Sequence, residues 1–483
     1  MSNSIKKNYI YNLVYQILLL ITPLITTPYL SRVLGADGIG IVSFAESNAT
    51  YFVLFATMGI SIYGQREISC VQNSEEMRSI VFWNVKALSL FTSCFSIMAY
   101  LLFAIHQKDR IVYLVFTLSI LNVAADVTWF FQGMEEFGRI VIRNVVFKVI
   151  NIVYIFLAVR TAKDVVFLAL GHTVFLFLGN LSLWYSLPGY IQKPKLGDIH
   201  PFRNIKEILS LFIPTIAIQV YTVLDKTMIG VITHNSFENG YYEQALKIIK
   251  MMLPVVTALG TVMIPRITYH FNRCEIEEVK HLMFISYRFV WLLGVPVVFG
   301  LIGIAANFVP WFFGPGYEKV TSLIYILSFL VLLIGISNVT GIQYFIPTKR
   351  QRYLSLSVIL GAIINFLLNM ILIKEYESTG AAISSVVAEM TVTVSQLYFV
   401  RKELPITSIL KMSIPYCFAG LIMACGVYFA SKILTPSIIH TVMLIICGVI
   451  IYFAVLIIIR DEFLLEHIKK TSGKLIKVKM KGK

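Results

Sequence analysis

The chain has 483 residues, 57% of them hydrophobic and only 14% charged, against about 25% charged in an ordinary soluble domain. With a mean hydropathy of +0.78, it is excluded from the disordered class, which needs low hydrophobicity, and a soluble enzyme could not hide so much apolar surface. What remains is an all-α polytopic membrane protein whose net charge of +15 needs an explanation.

In chain order, Lys6 and Lys7 precede an apolar run over 10–30. It is too long for the core of a cleaved signal peptide, and no small-residue cleavage site follows, so it reads as the first transmembrane helix. A helix needs roughly 20 residues to cross the bilayer core. Apolar windows of that length continue at 40–62, 80–105, 111–131, 140–159 and 165–185. Six more lie at 211–232, 241–264, 284–305, 323–345, 354–373 and 381–399, and a last pair at 414–433 and 438–459. The windows are continuous rather than alternating, which argues against membrane strands. Fourteen spans are therefore expected.

An even number of spans puts both termini on one side. With that side inside, 27 of the 41 Lys and Arg fall in inside segments and 8 in outside ones, the remaining six lying within spans. This is the positive-inside bias, and missing one span would invert it. Lys86 and Arg288 lie near the inner surface in this count and are expected to snorkel to it. The basic tail after 460 suits anionic headgroups or simply solvent. The six cysteines form no CxxC pair, and the eight histidines form no HxxH or HExxH, so no metal or disulfide framework is expected. No cofactor is implied.

An internal repeat recurs at an offset of 200. Gly40 and Gly240 each open a span, Arg66 and Arg266 each follow 26 residues later, and Ala45 matches Ala245. The spacing divides the chain into an N-lobe (1–190, spans 1–6), a cytoplasmic linker (191–207) and a C-lobe (208–400, spans 7–12). A helix pair (411–460) and a basic tail (461–483) follow. Two parallel six-helix lobes would enclose a cavity near the midplane.

Ionisable groups within spans are costly and usually face a cavity or one another. Lys148 and Lys250 fall near the midplane at about 1.5 Å of rise per residue. Glu243, Lys247 and Lys250 follow i, i+4, i+7 spacing and share a face, and Ser43, Ser47 and Thr50 are their offset-200 partners. Asp225 and Lys226 are adjacent, hence about 100° apart on the helix, and need not pair with each other. Glu46, Asp126, Asp225 and Glu389 are the acidic groups within spans that could couple transport to an ion. The segment from Pro310 to Tyr317, rich in Trp, Phe, Gly and Pro, reads as a turn anchored at the outer interface.

Several segments carry a resemblance. They are Pro28-Tyr29-Leu30-Ser31-Arg32-Val33-Leu34-Gly35 with Gly38-Ile39-Gly40, and Asp126-Val127-Thr128-Trp129-Phe130-Phe131-Gln132-Gly133-Met134-Glu135. Leu224-Asp225-Lys226 with Gly240-Tyr241-Tyr242-Glu243-Gln244-Ala245, and Phe313-Gly314-Pro315-Gly316-Tyr317, add to them. Over about residues 8–400 the chain resembles the Wzx-type O-antigen and capsule repeat-unit flippases, whose superfamily also holds the MATE drug exporters and the lipid II flippases. The resemblance implies alternating access, ion coupling and a cationic central cavity. The substrate would be an undecaprenyl-pyrophosphate-linked oligosaccharide, moved from the inner to the outer leaflet of the bacterial inner membrane. Arg32, Lys148, Lys247, Lys250 and Arg266 are then candidate anion-binding residues. The expected partners are that lipid-linked substrate, membrane lipids, and the polysaccharide polymerase with its chain-length machinery, but no nucleic acid. No GxxxxGK[ST] loop is present, so no nucleotide-driven step is expected. A MATE-like cation exporter and a polysaccharide polymerase or ligase are the alternative readings; the first would need a net acidic cavity, the second a large outer loop.

Overall fold

The computed structural model describes residues 2–193 and 196–465. The predicted tail from 466 onward therefore lies outside the described residues, as do two positions of the predicted linker. Among the described residues the structure is helical and has no strand. The helices are α1 (Ser2–Thr57), α2 (Ile60–Cys70), α3 (Glu75–Ala104), α4 (Arg110–Ala125), α5 (Thr128–Gly133), α6 (Phe137–Ala158) and α7 (Val165–Trp184). They continue with α8 (Ile205–Thr233), α9 (Ser236–Thr257), α10 (Gly260–Asn272), α11 (Ile276–Phe313), α12 (Glu318–Leu327) and α13 (Phe329–Asn338). A π-helical turn (Val339–Phe345) leads to α14 (Gln351–Val400), α15 (Ile406–Lys411), α16 (Ser413–Ile433) and α17 (Ile438–Ile458).

Among the described residues, eleven helical stretches are long and apolar enough to cross a membrane. Two of them are double. Gly35 (φ 67°) breaks the stretch that begins with α1, and Glu377 (φ 53°) breaks α14, each splitting one continuous helix into two spans. Together with the 29-residue α8 this gives the fourteen spans expected. Many large apolar side chains are exposed, among them Phe95, Leu102, Ile371, Phe429 and Ile439. Exposure of that kind is unfavourable in water and natural against lipid tails. The chain is a multi-pass membrane protein.

The backbone divides into two compact units. One comprises 1–244 with 369–381, and the other 245–368 with 382–483. In the first unit, α1, α3, α4, α6 and α7 bury Leu34, Ile39, Tyr100, Phe116 and Ile155 in one cluster. A second cluster joins Ile60, Phe82, Trp129, Phe130, Phe131 and Leu183. In the second unit α11 is the hub. Tyr287 pairs with Thr340 at 2.7 Å, Asn307 donates to the Leu434 and Thr435 carbonyls, and Trp311 donates to Thr441 at 2.7 Å.

Three expectations change. Pro310 lies inside α11, and the turn itself is Gly314–Tyr317, where Gly314 (φ 97°) and Gly316 (φ 84°) take left-handed conformations. Arg288 reaches past the end of α17 but is held there by partners: it donates to the Tyr416 hydroxyl and to the Asp461 carboxylate. Lys86 is fully buried instead of reaching the surface. Its helix begins at Glu75, five residues earlier than the hydropathy window, so Lys86 sits about 16 Å along it. There it answers a local need. The fourth span breaks between α4 and α5 and leaves carbonyls without helical partners. Lys86 donates to the Asp126 carbonyl (3.1 Å) and Trp184 to that of Ala125 (2.7 Å), while Ser89 adds a second donor (3.3 Å) to the Val123 carbonyl, which already accepts from the Asp126 amide. The Lys86 ammonium also rests over the Trp184 ring at 4.9 Å.

Candidate functional site in the membrane-spanning helices

The offset-200 repeat is visible in the backbone. The second span of each half ends at Thr57 and Thr257, and the helices resume at Ile60 and Gly260. Within the first unit the repeated glycines meet. A Cβ on Gly40 would lie 2.7 Å from the Ser236 carbonyl carbon, and one on Gly240 would lie 2.7 Å from that of Ala36. Since 36 and 236 are themselves repeat partners, α1 and α9 cross here with approximate two-fold symmetry. Only glycine allows backbones to approach so closely.

Beyond this crossing one partner pair of the polar stripe touches. Ser43 donates to the Glu243 carboxylate at 3.2 Å. The Lys226 ammonium pairs with the same carboxylate at 2.7 Å, and both side chains are largely buried. Tyr51 donates to Thr227, which donates to Ser47. Asp225, one residue from Lys226, faces elsewhere and accepts from Tyr242 (2.6 Å) and Asn369 (2.7 Å). Adjacent residues of one helix thus build two separate polar centres, as the 100° step requires.

A cavity of about 350 Å³ opens between α1, α6 and α7 in the same unit. Its polar lining includes Glu46, Arg143, Asn144, Lys148, Asn151 and His172. Lys148 lies about 16 Å from the start of α6, and Glu46 about 16 Å past the Gly35 kink, so both sit near mid-membrane. Asn144, Lys148 and Asn151 share one face of α6 by i, i+4, i+7 spacing. Two glycines on α7, eight residues apart and so on one side of that helix, make the room. A Cβ on Gly171 would lie 3.1 Å from the Asn151 amide oxygen, and one on Gly179 3.1 Å from Arg143 Cδ. Arg143 donates to Asn180, which donates to Asn122 at 2.8 Å. Among the described residues the wall carries two cations against one carboxylate, at a depth where ions are rare. Such a surface can receive an anion, with Arg143 able to bind phosphate oxygens in a bidentate fashion.

Of the sequence-predicted residues, Lys148 and Glu46 line this cavity. Asp225 joins the polar centre beside it in sequence, with Tyr242 and Asn369. Asp126 caps α5, accepting from the Thr128 amide at 2.8 Å. Glu389, in the second unit, is buried and accepts from Ser337 at 2.8 Å. Arg32 is exposed and donates to the Pro28 carbonyl. Lys247 is half-buried, Lys250 exposed on α9, and Arg266 exposed on α10. Arg143 and His172, which share the wall, are not among the residues predicted from the sequence. The stripe rule that found Glu243, Lys247 and Lys250 would have found Asn144, Lys148 and Asn151 as well. No cluster of three His, Cys, Asp or Glu that could hold a metal ion occurs among the described residues.

Known proteins bear on this arrangement. The chain is 26% identical over 408 residues to a protein of Escherichia coli (strain K12) named "Putative O-antigen transporter", covering 83% of this chain and 97% of that one. It is 22% identical over 316 residues to the lipid II flippase MurJ of Bacillus subtilis (strain 168), covering 57% of each. Its fold matches a structure of lipid II flippase MurJ in the inward closed conformation. The TM-score is 0.74 at 15% identity, over 94% of this chain and 99% of that one. An inward-facing MATE family transporter matches at a TM-score of 0.63 and 13% identity, over 81% and 96%. The model of the family described as "Polysaccharide biosynthesis protein" matches residues 5–271, more than half of the chain, and the chain belongs to that family.

Proposed function

We propose that this protein is a flippase. It moves undecaprenyl-pyrophosphate-linked oligosaccharide repeat units from the cytoplasmic to the outer leaflet of the bacterial inner membrane, by alternating access. Both termini are cytoplasmic on the positive-inside count, and the chain acts as a carrier rather than an enzyme. The two-lobe division at 190 and 208 is part of this reading. So is hand-over of the product to a polysaccharide polymerase and its chain-length machinery. The observation that carries it is the mid-membrane cavity with Arg143 and Lys148 in its wall. A pyrophosphate crossing the low-dielectric core without cations would meet a prohibitive charge-burial cost, whereas the polyprenyl tail can stay in lipid. Lys247, Lys250, Arg32 and Arg266 are further anion-binding candidates. Glu46, Asp225 and Glu389 are candidates for ion coupling, as buried or half-buried carboxylates within spans. Asp126 is a weaker one because its carboxylate already caps α5.

The test is Lys148→Ala and Arg143→Ala in a strain that lacks the chromosomal copy. The expected outcome is normal membrane levels of the variants, loss of surface polysaccharide, and lipid-linked repeats held in the inner leaflet. Normal polysaccharide in both variants would overturn the cavity assignment. Repeats accumulating singly in the outer leaflet would point to a polymerase, and drug resistance on overexpression to a cation exporter. The basic cavity wall argues against the latter.

A further inference from the structure

The positive-inside count leaves few cations on the outer side, yet three of them gather at one place. Lys108 and Arg110, at the start of α4, and Lys163, just before α7, line a cavity of about 340 Å³ in the first unit. Both segments lie on the face opposite the termini, since an odd number of spans precedes each. Topology signals cannot explain cations here, because the bias disfavours them on this side. Nor do ion pairs, since none involves Lys108, Arg110 or Lys163 among the described residues. Asp109 is the one carboxylate in the wall among the described residues. The nearby Asp164 is committed to its own loop. It accepts from the Arg160 amide (2.9 Å), the Thr161 amide (2.7 Å) and the Thr161 hydroxyl (3.0 Å), and these bonds hold its carboxyl below the usual carboxylate range. The walls are also the first turns of α4 and α7, neither of which has a side-chain cap. Their amides add partial positive charge to that of the three side chains. Ile41, Ile111, Val165 and Val166 complete the lining, so the cavity is basic at the headgroup and apolar beside it.

We infer that this cavity binds the phosphate group of an anionic lipid at the outer face, held by Lys108, Arg110 and Lys163. The shared chemistry is a lipid phosphate. It comes either from a bilayer phospholipid or from a delivered polyprenyl pyrophosphate. The inference concerns binding alone, so it stands or falls separately from the translocation reading.

The experiment uses the full chain, purified in a neutral detergent and titrated with phosphatidylglycerol, undecaprenyl pyrophosphate or sodium pyrophosphate. Thermal stabilisation and native mass spectrometry give the readout. The triple variant K108Q/R110Q/K163Q should bind at least about tenfold more weakly, with each cation near a lipid surface contributing roughly a fewfold factor. K432Q, which removes another outer cation, should titrate as the wild type does. If the triple variant fails to fold, R110Q and K163Q singly should each weaken binding about threefold or more. Weakened binding of phosphatidylglycerol alone identifies a bilayer lipid, and of undecaprenyl pyrophosphate alone the carrier. Weakened binding of all three probes identifies the phosphate itself. Equal titration of wild type and variants with every probe would overturn the proposal, as would failure of all three probes to bind the wild type.

Discussion

The Lys226–Glu243 pair offers the sharpest test of how the first unit is held together. The ammonium and carboxylate are 2.7 Å apart, and their side chains are only 10% and 14% exposed. At an effective dielectric of about 20, Coulomb attraction at that distance is about 6 kcal/mol. Desolvation takes back several kcal/mol for each ion, so the net worth of the pair is small. Breaking it is another matter. Lys226→Met leaves the buried Glu243 carboxylate without the ammonium it touches, and Glu243→Leu takes from Lys226 the carboxylate in direct contact with it. Each single variant should lose about 3–5 kcal/mol. The double variant Lys226→Met/Glu243→Leu removes both charges and should return to within about 2 kcal/mol of the wild type, because Ser43 can turn back to a carbonyl of its own helix. Reversible denaturation of the four proteins in mixed micelles, followed by circular dichroism, gives the cycle. The reasoning fails if either single variant loses less than about 1 kcal/mol. It fails equally if the double variant loses the sum of the two singles, since that would mean no coupling between the charges.

Two further outcomes are expected. Gly40→Ala and Gly240→Ala each place a methyl against backbone that cannot rotate away, and each should destabilise by about 3 kcal/mol, the upper part of the overpacking range. Gly189→Ala, where nothing lies within 4 Å, should leave thermal unfolding unchanged. Asp126→Ala should cost about 1 kcal/mol or more through the lost acceptor at the start of α5, while Asp126→Asn, which keeps an acceptor for the Thr128 amide, should recover that part, lose only the carboxylate charge acting on buried Lys86, and keep surface polysaccharide. Loss of polysaccharide in a stable Asp126→Asn protein would show that the charge itself is needed.

Some of this architecture was legible in the chain because it depends on local quantities. Span number follows from apolar length against bilayer thickness, and it survived even where one helix contains two spans. The repeat at offset 200 was legible because Gly40 and Gly240 are forced by a backbone crossing that tolerates no side chain. Helix-face arithmetic separated Asp225 from Lys226 correctly. It could not say that Asp225 would meet Asn369, 144 residues away, or that Lys226 would meet Glu243.

Hydropathy and charge by themselves therefore determined that the chain lives in a membrane, how often it crosses, and which few ionisable groups lie deep. Only the tertiary structure decided what those groups do. Lys86 became a cap for a broken helix, and Asp126 the cap of the helix that follows. Arg143 became a cavity wall residue because Gly171 and Gly179 clear space across from α6. The physical reason is that the cost of a buried charge depends on its partners, and those partners come from distant parts of the chain.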